Sequence, residues 1–239
     1  MAKLSVNIDH VATVRQARMA AEPDVLEAGF AVQRSGASGV TVHLRGDRRH
    51  IQDRDVFALK KNLRIKLNLE MAATDEMLKI AVKVKPDLVT LVPEKDSELT
   101  TSGGLDVLKN KTHLSVFIKA LKRAGIAVSI FVNPQISQIK AAKDVGAGFV
   151  EIHTGIFAEK FLAKKNTKIE IEKIRKCTDF AKKIGLKVNA GHGLTYQNVK
   201  KLVPLEDFEE MSIGHSIIAR SVFIGVEKAS KEMKNLVKG

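Results

Sequence analysis

Five of the seven histidines in this 239-residue chain close a short apolar run. They stand in Asn7-Ile8-Asp9-His10, Val42-His43, Ile152-His153, Ala190-Gly191-His192 and Ile213-Gly214-His215. Two more such runs end on a carboxylate, Leu67-Asn68-Leu69-Glu70 and Val89-Thr90-Leu91-Val92-Pro93-Glu94. Imidazole and carboxylate trade protons near neutral pH without help from a metal. Gathered at one end of many buried strands, they point to a shared mouth where general acid–base chemistry is done. His43 and Glu70, on neighbouring strand ends, form the plainest acid–base pair.

Several loops are suited to anions. Arg45-Gly46-Asp47-Arg48-Arg49-His50 follows directly on His43, and Thr100-Thr101-Ser102-Gly103-Gly104 offers hydroxyls and open backbone amides. Gly191-His192-Gly193 and Gly214-His215-Ser216 stand where helix N-terminal amides commonly hold phosphate. Together they suggest more than one phosphate.

The elements that must position these groups alternate. Strand candidates are Leu4–Asp9, Val40–Leu44, Ile65–Met71, Leu88–Val92, Ala127–Val132, Phe149–His153, Lys187–Ala190 and Glu210–Gly214. Between them lie helical stripes such as Met77, Ile80, Ala81 and Val84, or Ile174, Cys177, Ala181 and Ile184. Gly36, Gly125, Gly146 and Gly185 read as helix stops, and Pro86 does the same before the fourth strand. Eight βα units in this length predict an α/β fold, a single-domain (β/α)₈ TIM barrel over residues 1–239. The rival is a doubly wound open sheet, which would normally carry a glycine-rich turn after its first strand. That turn here, His10-Val11-Ala12-Thr13-Val14-Arg15, has no glycine.

Strand alternation then sorts the side chains. Asn7 with Asp9, Asn68 with Glu70, and Glu151 with His153 share faces that point to the barrel axis. Asn7 and Asn68 lie deeper and read as packing residues bonded to each other. Glu151 divides evenly between a structural and a functional role. His10 faces away from Asp9 or lies in the loop, placed for backbone or ligand contact and not for direct catalysis, and His113 reads as a surface or interface residue of a helix.

Composition bounds the rest. With 44% hydrophobic residues the chain can bury a substantial core, and a mean hydropathy of −0.06 fits a soluble, cytoplasmic protein. No apolar stretch reaches membrane-spanning length, and strand-like sequence from Leu4 leaves no signal peptide in view. Cys177 is the single cysteine, a core residue without a disulfide or metal partner. The net charge of +13 raises nucleic-acid binding. Yet the lysines of segments 164–176 and 228–238 interleave with Glu170, Glu172, Glu227 and Glu232, as solvated helix faces do. Anionic small molecules suit the charge better.

Taken in order, Val6–His10, Thr41–Arg45 with Asp47–His50, Asn68–Met71, Leu91–Lys95, Glu151–Gly155 and Val188–Thr195 resemble the pyridoxine 5′-phosphate synthase family from end to end. The resemblance implies a (β/α)₈ barrel, usually a homo-octamer built from dimers, with no metal or organic cofactor. It implies a transferase-type, ring-forming synthase. Its two phosphorylated substrates are 1-deoxy-D-xylulose 5-phosphate and 3-amino-2-oxopropyl phosphate, and it releases pyridoxine 5′-phosphate, phosphate and water. By the same resemblance His43 and Glu70 are proton acceptors and His192 a proton donor. Asn7, Asp9, His10, Arg18, Arg45, His50, Thr100, Gly193, Gly214 and His215 fall on substrate-binding positions. Gly46 departs from the family, which often carries an acidic residue there, and the lysine-rich segment 157–168 matches it poorly.

Two alternatives make different demands. A metal-dependent phosphosugar epimerase would need several of these residues on one divalent ion, and no close His-x-His pair supports it. A nucleic-acid-binding protein would bind in a salt-sensitive way without turnover.

Overall fold

A computed structural model describes residues 1–94, 103–205 and 208–238. Its strands are Lys3–Asn7 (β1), Gly39–His43 (β2), Lys66–Met71 (β3), Leu88–Leu91 (β4), Ala127–Val132 (β5), Phe149–His153 (β6), Lys187–Gly191 (β7) and Glu210–Ile213 (β8). All pair in parallel with their sequence neighbours, and β8 closes on β1, giving a closed barrel. The helices are Asp9–Arg18 (α1), Val25–Arg34 (α2), Asp53–Asn62 (α3), Asp75–Val84 (α4), Lys111–Arg123 (α5), Ile136–Asp144 (α6), Gly155–Leu162 (α7), Lys168–Lys183 (α8), His215–Ile224 (α9) and Val226–Lys238 (α10).

Helix boundaries follow local chemistry. The Thr74 hydroxyl accepts the Met77 amide at the start of α4, and Asp75 and Glu76 complement the positive end of the helix. Gly36, Gly125, Gly146 and Gly185 all take the left-handed conformation expected of helix stops. The stripes Met77, Ala81, Val84 and Ile174, Cys177, Ala181 are buried against the barrel.

The expected one-helix-per-strand pattern is not uniform. The connections after β1, β6 and β8 each carry two helices. Between β7 and β8 the described residues hold only short 3₁₀ turns, Val199–Lys201 and Val203–Leu205. Pro204 lacks the amide a continuing helix needs, and Asn198 is spent on the Thr195 amide and the Gly193 carbonyl.

Alternation divides the barrel wall sharply. Val6, Val40, Val42, Leu67, Leu69, Val89, Leu91, Ile130, Val150, Ile152, Val188 and Ile213 face the helices and are buried, each burial being worth about 1.5–3 kcal/mol. The inner face is polar, whereas bulky branched residues usually fill such barrels. Ser5 bonds Thr41 at 2.7 Å, and Thr90 donates to Asn68 at 2.9 Å. Asn7 does not pair with Asn68: β2 stands between their strands, and both polar side-chain atoms of Asn7 bond Asp9. A polar interior yields less transfer energy than an apolar one, and it places titratable groups along the axis.

Candidate active site

The site is assembled at the C-terminal ends of the strands. Asp9 does not end β1 as expected: the strand stops at Asn7, and Asp9 opens α1. Its carboxylate still turns to the mouth. It accepts the Asn7 side-chain amide and the His43 backbone amide, each at 2.8 Å. Asn7 in turn accepts the Asp9 amide at 3.0 Å. This clasp ties β1, α1 and β2 together at the rim and gives Asn7 a direct place in the site.

His43 and Glu70 are register partners on β2 and β3. The ring of His43 turns away from its register partner, and its Nε2 bonds Glu94 at 2.9 Å. Glu70 has no side-chain hydrogen bond among the described residues. Burial, with the charges of Glu151 and Asp9, holds its carboxyl well above the ordinary carboxylate range. Below it, Glu151 is pushed up to about 8 by burial and by the charge of Glu210. One oxygen of Glu151 has no partner among the described residues.

On the opposite side His192 follows β7 with a φ of 78°, in the left-handed region that few non-glycine residues enter. Thr154 holds it there, donating its hydroxyl to the carbonyls of Gly191 at 2.8 Å and His192 at 2.6 Å. The His192 ring meets His153 edge-on at a centroid distance of 4.9 Å and lies 6.4 Å from Phe131. Burial lowers the His192 pKa against the opposing charge of Glu159. His153, buried beside it, falls to about 4. Asn133 accepts the Gly104 amide at 2.9 Å through the same oxygen that meets His153 Nδ1 at 3.1 Å. That oxygen is an acceptor, so the neutral His153 ring carries its proton on Nδ1.

The N-termini of α1 and α9 converge. His10, on α1, meets His215, the first residue of α9, edge-on at 5.3 Å. Neither N-cap residue, Ile8 or Gly214, gives its helix a side-chain cap, and apart from the Asp9 amide, which Asn7 accepts, first-turn backbone amides are left to receive an anion. Gly214 must stay small, since a Cβ there would come within 2.9 Å of the Asn7 Cβ. His10 thus lies on α1, not on a strand face or in a loop, with its ring against that of His215.

The arginine loop is more ordered than its charge suggests. Arg48 pairs with Asp53 and Glu76 and donates to the carbonyls of Arg45 and Gly46. Arg45 is buried and contacts Asp47, which also accepts from Arg49. His50 accepts the Ile51 amide on Nδ1, and its ring lies 6.1 Å from that of His43. Burial, with His43, His10 and Arg45 nearby, lowers its pKa against the pull of Asp9. Beneath the loop Arg15 makes a two-pronged bond to Asp55 at 2.8 and 2.7 Å and reaches the His50 carbonyl at 3.3 Å.

Arg18 is not brought to this mouth. It is exposed at the last residue of α1, about 13 Å along the helix from Asp9 at 1.5 Å per residue. Thr100 lies outside the described residues. Gly193 packs on α7, where a Cβ would meet that of Ala158 at 2.6 Å. His113 is an exposed residue of α5, as expected. In the lysine-rich segment, Phe157 anchors α7 in the core and Lys160 pairs with the buried Glu170. Among the described residues no three His, Cys, Asp or Glu side chains converge to hold a metal ion, and no helix is long and apolar enough to cross a membrane. Sequence reasoning left out Thr154, Asn133 and Arg15, whose roles depend on long-range contacts. It also left His153 unassigned, although His153 ends a strand in the same way as His43.

The chain is 54% identical over 238 residues to the pyridoxine 5′-phosphate synthase of Geobacter sulfurreducens, covering 100% of this chain and 99% of the relative. It is 53% identical over 237 residues to the enzyme of that name from Prochlorococcus marinus strain MIT 9211, covering 99% and 97%. Among solved structures, a thiamine phosphate pyrophosphorylase from Pyrococcus furiosus superposes with a TM-score of 0.65 at 16% identity, covering 99% of this chain and 95% of that one. A 3-keto-L-gulonate-6-phosphate decarboxylase from Vibrio cholerae superposes with a TM-score of 0.66 at 11% identity, covering 99% and 97%. Those two likenesses bear on the barrel alone. Residues 4–239 match the family described as pyridoxal phosphate biosynthesis protein PdxJ, and with relatives above half identity over nearly its whole length, the chain belongs to that family.

Proposed function

We propose that this protein is a pyridoxine 5′-phosphate synthase. It would join 1-deoxy-D-xylulose 5-phosphate to 3-amino-2-oxopropyl phosphate, giving pyridoxine 5′-phosphate, inorganic phosphate and water by metal-free acid–base catalysis. The observation that carries this reading is the ring of titratable groups at the mouth, Asp9, His43, Glu70 and His192, backed by the paired helix N-termini at His10 and His215.

The ring closure needs repeated proton transfers. Amine and ketone condense with loss of water, a carbon acid is enolised, phosphate is eliminated, and an aldol-type step closes the ring. Burial shifts the two kinds of group in opposite directions. Glu70, held high, is a strong base once ionised, and His192, held low, gives up a proton readily once protonated. In this reading His43 and Glu70 take protons during condensation and closure, and His192 gives them to departing oxygens. Arg45, His50, Gly193 and the amides near Gly214 and His215 offset the repulsion between two phosphorylated substrates and hold the reacting atoms together.

The reading includes a homo-oligomer. Met19, Val222 and Phe223 are 85%, 78% and 86% exposed at the ends of the touching helices α1 and α9, and a second copy of the chain would cover them. Arg18 stands beside this patch, so its substrate-binding position fits a neighbour's site better than its own.

The test is product formation by purified, chelator-treated protein given both substrates, followed by mass detection and phosphate release. Stoichiometric pyridoxine 5′-phosphate and phosphate are expected. A folded protein that makes neither contradicts the reading.

A further inference from the structure

Glu94 lies just beyond β4, yet both of its oxygens are committed to the β2 side of the mouth. Oε1 lies 2.9 Å from His43 Nε2, and Oε2 accepts the Gly46 amide at 3.0 Å. The two side chains are only 8% and 15% exposed. Burial by itself would push the Glu94 carboxyl up. The bonds from His43 and Gly46, with the nearby charges of His43 and Arg45, outweigh it and keep the carboxyl below its ordinary range. An ionised carboxylate can only accept hydrogen bonds. His43 Nε2 therefore carries the proton, and the lone pair free to accept another is on Nδ1.

No other neighbour among the described residues does this. Asp9 fixes the His43 main chain through its amide and leaves the ring free to turn. Glu70, the register partner, makes no bond to the ring among the described residues. The His50 ring is 6.1 Å away by centroid.

We propose that Glu94 is a positioning residue for the reaction, holding His43 in its Nε2–H tautomer with Nδ1 as the accepting atom and tying the β2–α3 loop to that base through Gly46. This rests on His43 being a proton acceptor. When His43 takes a proton it becomes a cation, and the Glu94 carboxylate faces it within hydrogen-bond distance. The arrangement has the logic of a carboxylate that orients an imidazole and stabilises its charged form.

The experiment compares wild type with Glu94→Gln, Glu94→Ala and His43→Asn. It pairs steady-state kinetics with magic-angle-spinning ¹⁵N spectra of histidine-labelled protein. The His43 signals are those missing from His43→Asn. Wild type should show His43 protonated on Nε2 and bare on Nδ1. Glu94→Gln keeps an acceptor oxygen but not the charge, so it should keep this tautomer and lose about tenfold in kcat. Glu94→Ala should mix the tautomers and lose on the order of 10²-fold in kcat, with KM changed only a few-fold. A purely structural Glu94 would leave the His43 signals as in wild type, and that result in Glu94→Ala overturns the proposal. If Glu94→Ala does not fold, wild-type kcat in Glu94→Gln overturns it. Full turnover by His43→Asn would instead sink the acceptor role of His43. An inactive His43→Asn beside a fully active Glu94→Ala would sink the positioning role alone.

Discussion

The Thr154 hydroxyl donates to the His192 carbonyl at 2.6 Å, from the residue just after β6 to the residue just after β7. One side chain thus holds a histidine in backbone geometry it would not choose alone, with a φ of 78°. Replacing Thr154 with valine keeps the shape and removes the donor. The expected result is a loss of about 1–3 kcal/mol in stability and a fall of about tenfold in turnover, with Thr154→Ser retaining most of both. Thermal melts and kcat measured on the two variants check this.

Glu151 makes stability depend on pH. Its folded-state pKa of about 8 lies above the unfolded value near 4.5, so between these values the folded protein binds the extra proton. Its contribution is fully present below the unfolded pKa and is lost as pH rises through about 8. Glu151→Gln, which mimics the protonated side chain, should show a flatter decline in melting temperature between pH 5 and 9. Parallel profiles for the two proteins would show that Glu151 titrates normally in the fold.

Much of this was legible in the sequence because the barrel wall alternates so strictly. The eight alternating apolar runs place every strand to within about two residues. They also put His43, Glu70 and His192 at the same end. What could not be read were the partners. Nothing in the spacing says that His43 turns to Glu94, that Thr90 engages Asn68, or that Arg48 is spent on Asp53 and Glu76. Most of these choices join residues more than twenty positions apart, and even the close pair Arg48 and Asp53 joins a loop to the start of a helix. Asp9 was misplaced by two residues of strand, since an Asp opening a helix and an Asp ending a strand look alike. The same shift sets His10 on α1, edge-on to His215, and not on a strand face or in a loop.

Arg15 and Asp55 support the arginine loop from below, and both are buried. Arg15→Met leaves the Asp55 carboxylate uncompensated, which should cost roughly 3 kcal/mol. Adding Asp55→Leu should recover part of that loss. Urea denaturation of the single and double variants measures it, and an additive double variant would show that the pair is not coupled.

Gly214→Ala forces a methyl to within 2.9 Å of the Asn7 Cβ. Either Asn7 or the start of α9 must shift, and both border the proposed anion site. A rise in KM of at least about tenfold with a smaller change in kcat is expected, because substrate positioning suffers before chemistry does. An unchanged KM would place the phosphate elsewhere.

The central claim is that proton transfer at the barrel mouth drives ring formation, and Glu70 tests it most directly. Glu70→Gln preserves size and removes the proposed base. Single-turnover product formation, measured beside the affinity for each substrate, should fall by on the order of 10²–10⁴-fold while both affinities stay within a few-fold of wild type. Product forming at the wild-type rate would contradict the account.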